Sequence, residues 1–136
     1  MKTCVAFHGN CYDGYGAAWA AWKKLGDEGV EYRAVNYGQP PPALHNTDQG
    51  KLYLLDFSYP RDTLLMLAKE FDITVLDHHK TAKADLEGLP FATFDLEKSG
   101  AVLAWEHFHP GVPVPLMLQY LQDRDLWRFE RPCSRQ

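Results

Sequence analysis

The stretch ITVLDHHK, residues 73–80, joins an apolar run to three adjacent side chains that bind metals or transfer protons. Its β-branched and apolar residues predict a buried β-strand. In an open parallel sheet, ligands bind just beyond the carboxyl ends of the strands, which is where Asp77, His78 and His79 would lie. This stretch therefore predicts a parallel α/β sheet with a functional site at one edge.

Strand-like and helix-like segments alternate on both sides of this stretch. The predicted strands are 3–8, 31–36, 51–56, 73–76 and 91–94, and a proline-containing loop occupies 38–50. Predicted helices cover 17–25, 60–71, 99–108 and 116–122. Such alternation is typical of a three-layer α/β/α fold with a mainly parallel five-stranded sheet.

The topology of such a fold gathers distant residues at one edge. Right-handed crossovers bring the carboxyl ends of all parallel strands to the same side of the sheet. Three predicted strands end at His8, Asp56 and Asp77, and Asp13 lies in the glycine-rich turn after the first strand. We therefore expect these side chains to lie close together.

Length and composition limit the classes of protein that the chain can belong to. With 136 residues it is expected to be one domain, residues 1–130, followed by a linker or truncated end, residues 131–136. A net charge of −4 argues against stable binding of duplex nucleic acid through phosphate contacts alone. The three cysteines have no disulfide-like spacing and no signal peptide is evident, so we expect a cytoplasmic protein. The sequence contains no apolar run of about 20 residues, so no membrane span is predicted.

The residues expected at the sheet edge have the chemistry of metal ligands. Mixed imidazole and carboxylate ligands suit Mn²⁺, Fe²⁺ or Zn²⁺, whereas Mg²⁺ prefers oxygen alone. Two such ions about 3.5–4 Å apart can hold both oxygens of a phosphoryl displacement. The candidate ligands are His8, Asp13, Asp56, Asp77, His78 and His79, which Asp123 and Asp125 could complete.

Several further residues could contact a phosphate. A strand, a glycine-rich turn and a helix in succession can hold an anion on free backbone N–H groups, and Asn10 and Gly14 lie in that turn. Lys80, Arg124 and Arg128 lie close in sequence to the candidate ligands, although solvated surface charge is the commoner role of such residues. These five residues are the candidate substrate-binding set.

Taken in order, these motifs resemble the DHH phosphoesterase superfamily, whose name comes from its Asp-His-His motif. The first motif resembles residues 8–14 (HGNCYDG), the second is Asp56 at a strand end, and the third is residues 77–79. The fourth is an aspartate before an aromatic turn, here Asp125. The resemblance extends over the whole chain.

The resemblance implies a phosphodiesterase that hydrolyses a small nucleotide phosphoester, such as a short oligonucleotide or dinucleotide, with water activated by two Mn²⁺ ions. It implies that His8 and the acidic first-motif ligands hold one ion. The second ion would be held by Asp13, His78 and Asp125, and Asp56 would bridge the two ions. His79 would face the substrate phosphate, and Asp77 would orient a neighbouring imidazole.

The chain departs from the family pattern in two ways. Cys11 stands where family members usually have an aspartate, and a thiolate suits Zn²⁺ or Fe²⁺ better than Mn²⁺. Cys11 is thus either a ligand that shifts metal preference or not a ligand at all. The smaller carboxyl-terminal substrate-binding domain of many family members has no counterpart in the sequence.

Other interpretations remain open from the sequence. The chain could be a non-catalytic module that binds nucleotide or metal, a pyrophosphatase-like hydrolase, or a receiver-like or flavodoxin-like protein without a metal. Individually, His8 could be a core histidine, and Asp13 could cap the helix that follows it. The adjacent pair His78 and His79 has no evident packing role, which favours a functional site.

Overall fold

The computed structural model describes residues 3–9, 11–39 and 50–127, with residues 123–127 described only as the end of a helix. Its strands are β1 (Thr3–His8), β2 (Val30–Val35), β3 (Lys51–Leu55), β4 (Asp72–Asp77) and β5 (Ala92–Phe94). Its helices are α1 (Tyr12–Leu25), α2 (Arg61–Leu67), α3 (Lys80–Asp85), α4 (Gly100–Phe108) and α5 (Leu116–Trp127). Every predicted strand is present within one or two residues.

All strands pair in parallel, in the order β2-β1-β3-β4-β5. The three central strands are therefore β1, β3 and β4, the ones predicted to end in candidate ligands. The predicted α/β/α fold with a parallel five-stranded sheet is confirmed.

Side chains alternate between the two faces of the sheet and build a hydrophobic core on each. On β1, Val5 and Phe7 pack in the core formed with α1, α4 and α5. Cys4 and Ala6 pack on the opposite face with Leu64 of α2 and residues that follow α3. Burial of apolar side chains on both faces explains why the interiors of the central strands β1, β3 and β4 are mostly apolar in sequence.

Helix α1 begins at Tyr12, five residues earlier than predicted, because the glycine-rich segment belongs to the helix rather than to a turn. A Cβ atom on Gly14 would lie 1.9 Å from the backbone oxygen of His8. Glycine at this position lets the first turn of α1 approach the end of β1. The sequence predicts a glycine-rich turn here, whereas in the structure Gly14 and Gly16 lie in α1 and allow close packing.

The remaining helices differ from prediction mainly at their ends. Helix α2 is shorter than predicted, with Pro60 as its N-cap, and α5 extends to Trp127. Helix α3 was not predicted, because none of its residues is buried and it has no apolar periodicity. At α4 the predicted cap is confirmed, since the Ser99 hydroxyl accepts a hydrogen bond from Val102 N.

Some predictions fall outside the described residues, namely most of the loop at 38–50 and the terminal segment 131–136. Within the part of the chain that the structure describes, no helix combines the length and apolarity needed to cross a membrane.

Candidate metal centre

Strand register brings the candidate ligands to the same level of the sheet. Phe7 pairs with Leu55, and Leu55 pairs with Leu76. The residues that follow them are His8, Asp56 and Asp77, at the carboxyl ends of three neighbouring strands. The predicted convergence of these residues therefore follows from strand order and register.

Asp56 occupies the middle of the cluster and is completely buried. Its φ of 57° is in the left-handed region, which aspartate tolerates better than most residues. Its backbone N–H donates to the oxygen of Leu76, and its Oδ1 lies 2.8 Å from His78 Nε2. Gly100 allows α4 to begin against it, because a Cβ there would lie 2.6 Å from the Asp56 Cβ.

Asp13 joins the cluster from the first turn of α1. Its carboxylate accepts hydrogen bonds from Gly100 N at 2.8 Å and Ala101 N at 2.9 Å. It therefore caps α4. The alternative drawn from the sequence, that Asp13 caps its own helix α1, is wrong. The same carboxylate lies 3.2 Å from His78 Nε2, so it links the amino end of α4 to the imidazole.

The two buried carboxylates determine the charge of His78 in the metal-free protein. Burial alone lowers the pKa of His78, but hydrogen bonds to Asp13 and Asp56 outweigh it and raise the pKa to about 11. Burial raises the pKa of Asp56, with Asp13 adding to that effect. Burial also opposes ionisation of Asp13, yet the His78 interaction and the backbone N–H groups give a net lowering of its pKa. An imidazolium shared between two carboxylates thus occupies the position where a cation would sit.

Asp77 orients the second histidine. It is completely buried, and its Oδ1 lies 2.6 Å from His79 Nδ1. It also accepts hydrogen bonds from the Ser58 hydroxyl at 2.7 Å and from His78 N at 2.8 Å. Burial lowers the pKa of His79, but the bond to Asp77 produces a net increase. With Nδ1 held by Asp77, the opposite ring nitrogen Nε2 is the one left for a ligand or substrate.

His8 is buried but incompletely hydrogen-bonded. Its side chain is 6% exposed, and among the described residues its Nδ1 makes no hydrogen bond. Nδ1 lies 3.7 Å from Asp56 Oδ2, too far for a hydrogen bond. Buried polar atoms usually have partners, so an orphaned imidazole nitrogen facing a carboxylate fits a cation held between them.

Cys11 adjoins the same carboxylate, with its sulfur 3.6 Å from Asp56 Oδ2. The residue is buried at the amino end of α1. The structure records Cys11 in a disulfide, which the spacing of the cysteines did not predict. Its sulfur could therefore bind a metal only after reduction to the thiolate.

The side chains form two groups that could each hold a metal ion, and Asp56 belongs to both. In each group one ligand atom per residue lies within 4.8 Å of the others. One group joins Asp56 to the DHH residues, and the other joins it to the first motif, His8 and Cys11. Imidazole nitrogens, carboxylate oxygens and thiolate sulfurs are the usual protein ligands of metal ions. A possible metal-binding cluster is thus present where the sequence predicted one.

Not all predicted site residues can be placed at the centre. Lys80 is exposed and begins α3 directly after His79. Gly14 is buried against β1, which gives it a packing role. Asp123, Arg124 and Asp125 lie in α5 with side chains that are not described, and Asn10 and Arg128 are outside the described residues.

Two residues of the cluster, Ser58 and Tyr37, were not predicted. Ser58 follows Asp56 by two positions, and Tyr37 follows the carboxyl end of β2 by two. The Tyr37 hydroxyl lies 3.2 Å from His79 Nδ1. The rule that strand ends meet at one edge would have found both residues, had it been extended to residues without evident metal chemistry.

A viral protein is similar in sequence to most of this chain. No family model matches the chain. Uncharacterized protein R106 of Acanthamoeba polyphaga mimivirus is 32% identical over an alignment of 151 positions, covering 94% of this chain. The chain spans only 34% of that relative.

A solved structure, that of an uncharacterized protein from Helicobacter pylori G27, matches with a TM-score of 0.72 and 15% identity. The match covers 94% of this chain and 44% of that one. At this identity the likeness extends to the fold alone. The name of neither protein states an activity.

Proposed function

We propose that this chain is a metal-dependent phosphoesterase domain of the DHH type, which hydrolyses a small nucleotide phosphoester at a two-metal centre. The single observation that carries the proposal is the position of Asp56. Its buried carboxylate belongs to two adjacent ligand groups, as expected of a carboxylate that bridges two cations.

The donor set fits divalent metal ions. The orphaned Nδ1 of His8 and the carboxylates of Asp13 and Asp56 converge with His78 within a buried cluster. Without a cation, the proton on His78 compensates the carboxylates. Two bound ions would supply an activated water and charge neutralisation at the phosphorus. We assign one ion to His8 and Asp56, with Cys11 as a further candidate ligand, and the other to Asp13, Asp56 and His78, with Mn²⁺ as the preferred metal.

The chain's own side chains would bind and orient the substrate. His79 would offer its Nε2 to a phosphoryl oxygen, because Asp77 already holds its Nδ1. The Asp77 bond also favours the protonated, donor form of this ring. The buried hydrogen bond from Ser58 fixes Asp77 and therefore the plane of the His79 ring.

The proposal is tested by measuring metal content and turnover together. The reduced protein is titrated with Mn²⁺ by calorimetry and assayed with bis(4-nitrophenyl) phosphate and a dinucleotide. We expect two ions per chain and hydrolysis that requires them. His78→Ala should lose both, whereas His107→Ala, which changes a histidine at the other end of the molecule beside Lys51 and Tyr53, should retain both.

The outcomes distinguish the proposal from its rivals. Two bound ions without hydrolysis of either substrate would support a non-catalytic binding module. Hydrolysis of pyrophosphate, but not of either diester, would favour a pyrophosphatase. Absence of metal binding by the wild-type chain would refute the proposal.

A further inference from the structure

Tyr37 is a partly exposed aromatic residue beside the candidate metal centre, in the turn after β2. Its ring packs on Phe57 with a centroid distance of 4.5 Å and meets the His8 ring edge-on at 5.3 Å. It also approaches the His79 ring edge-on at 6.0 Å. Tyr37 nevertheless remains 51% exposed. The residue is thus held firmly against the cluster while presenting surface to solvent.

In its contact with His79, the Tyr37 hydroxyl acts as a hydrogen-bond acceptor and not as a donor. His79 Nδ1 lies 2.6 Å from Asp77 Oδ1, and Asp77 also accepts hydrogen bonds from Ser58 and from His78 N. Because Asp77 acts as an acceptor on both oxygens, the shared proton belongs to His79 Nδ1. The Tyr37 oxygen, 3.2 Å from that nitrogen, can only accept a share of this proton. Its own O–H remains available as a donor.

We infer that Tyr37 is a substrate-binding residue, whose hydroxyl donates a hydrogen bond to an anionic phosphoryl oxygen held at the metal centre. The inference rests on the proposed function and identifies a residue that recognises the phosphoryl group beside His79. A neutral donor suits this place, because the cluster contains three buried carboxylates and the chain carries a net charge of −4. It contributes a hydrogen bond without adding a charge that would compete with the metal ligands.

The test compares Tyr37→Phe with Tyr32→Phe and the wild-type protein. Tyr37→Phe keeps the ring packing and removes only the hydroxyl. Tyr32 lies on the same strand, β2, but its hydroxyl donates to the oxygen of Gly26 at the opposite edge of the sheet. The probe is inorganic phosphate, titrated into Mn²⁺-loaded protein by calorimetry, with bis(4-nitrophenyl) phosphate for the kinetics.

We expect Tyr37→Phe to weaken phosphate binding about tenfold, the effect of losing one hydrogen bond to a charged group. KM should rise by a similar factor with kcat little changed, because substrate and transition state both carry the anionic oxygen. Mn²⁺ affinity should stay at the wild-type value. Tyr32→Phe should match the wild-type protein in all three measurements.

A purely structural role for Tyr37 gives a different result. If the hydroxyl acts only by holding His79, Tyr37→Phe should leave phosphate affinity unchanged in a His79→Ala background. A similar loss of phosphate affinity with and without the His79 side chain supports direct contact. Either a loss confined to the protein that retains His79 or wild-type phosphate affinity in Tyr37→Phe overturns the inference while leaving the proposed function intact. If the wild-type protein does not bind Mn²⁺, with or without phosphate, both the inference about Tyr37 and the proposed function are overturned.

Discussion

Asp56 links the local backbone to the proposed chemistry at the scale of single residues. Its left-handed φ of 57° turns the chain at the end of β3 and presents both carboxylate oxygens to separate partners. Oδ1 lies beside His78, and Oδ2 lies nearest to His8 and Cys11. A residue that must adopt this conformation and also bind metals is limited to very few types, which makes it a sharp target for mutation.

Asp56→Asn should abolish metal-dependent hydrolysis and lower Mn²⁺ affinity by at least about tenfold. Asparagine keeps the shape and tolerates the left-handed conformation, but its amide cannot bridge two cations. Calorimetric Mn²⁺ titration and diesterase assays check this. Asp72→Asn is the matched control, because Asp72 pairs with Lys51 at the opposite edge of the sheet. Wild-type turnover in Asp56→Asn would remove the residue from the mechanism.

The affinity for Mn²⁺ should rise with pH. The pKa of His78 is raised to about 11 in the metal-free protein, so the imidazole is protonated at neutral pH and must lose its proton to bind a metal. If one proton is displaced, the binding constant increases about tenfold per pH unit below that pKa.

Titrations between pH 6 and 8, in buffers of different ionisation enthalpy, measure both the slope and the protons released. An affinity that is constant over this range, with no proton release, would contradict the assigned role of His78.

Sequence reasoning located the chemistry-bearing residues but not their supporting contacts. His8, Asp56 and Asp77 could be predicted because strand ends of a parallel sheet meet at one edge. The capping of α4 by Asp13 could not be predicted, since it depends on the packing of α1 against α4 across 87 positions of sequence. Tyr37 has no distinctive motif, and its role depends on the turn that positions its ring.

At the scale of elements, close contact between helices and strand ends shapes the centre. Helix α4 begins against Asp56, and α1 begins against the carbonyl of His8, each contact requiring glycine. The sequence contains these glycines, but their meaning depends on tertiary packing. The same residue type breaks a helix when exposed and permits close approach when buried. The early start of α1 was missed for this reason.

Gly100→Ala should weaken Mn²⁺ binding about tenfold or more without changing any ligand. The new methyl group would lie 2.6 Å from the Asp56 Cβ and 2.7 Å from its Oδ1, so either α4 or the carboxylate must move. Displacing groups that support metal ligands commonly weakens binding by this amount. The measurement is Mn²⁺ affinity by calorimetry, accompanied by circular dichroism to monitor the fold.

Gly16→Ala is the control for this prediction. Its nearest contacts would be the side chains of Ala101 and Leu121 at 3.0 Å and of Leu118 at 3.4 Å, and not Asp56. We expect some loss of stability but wild-type Mn²⁺ affinity. Equal metal affinities in Gly100→Ala and the wild-type protein would show that the approach of α4 to Asp56 is not needed for binding.

At the scale of the whole molecule, the proposed ligands join segments that are far apart in sequence. They come from β1, the amino end of α1, and the ends of β3 and β4, with the cap of α4 attached through Asp13. The strand order could be anticipated in part, because parallel strands with helical connections restrict the topology. The register that brings three strand ends to one level depends on packing of both cores and is not encoded in a local motif.

Metal binding should therefore stabilise the entire domain and not only the sheet edge. At a free Mn²⁺ concentration of about 100 times Kd, linkage predicts a gain of about 2.7 kcal/mol in the free energy of unfolding. For a chain of this size, that gain corresponds to a Tm increase of about 10 °C. Differential scanning calorimetry of the metal-free and Mn²⁺-loaded protein measures the increase.

Asp56→Asn and Asp72→Asn again provide the matched pair, since one changes the shared ligand and the other changes a carboxylate at the opposite edge. Mn²⁺ should raise the Tm of Asp56→Asn by at most about half the wild-type increase, since a tenfold weaker site gains only about 1.4 kcal/mol at the same Mn²⁺ concentration, and should raise that of Asp72→Asn as in the wild-type protein. Because unfolding separates all four segments, the increase should appear as one cooperative transition. A Tm that rises equally in both variants would mean that Mn²⁺ binds outside the Asp56 cluster.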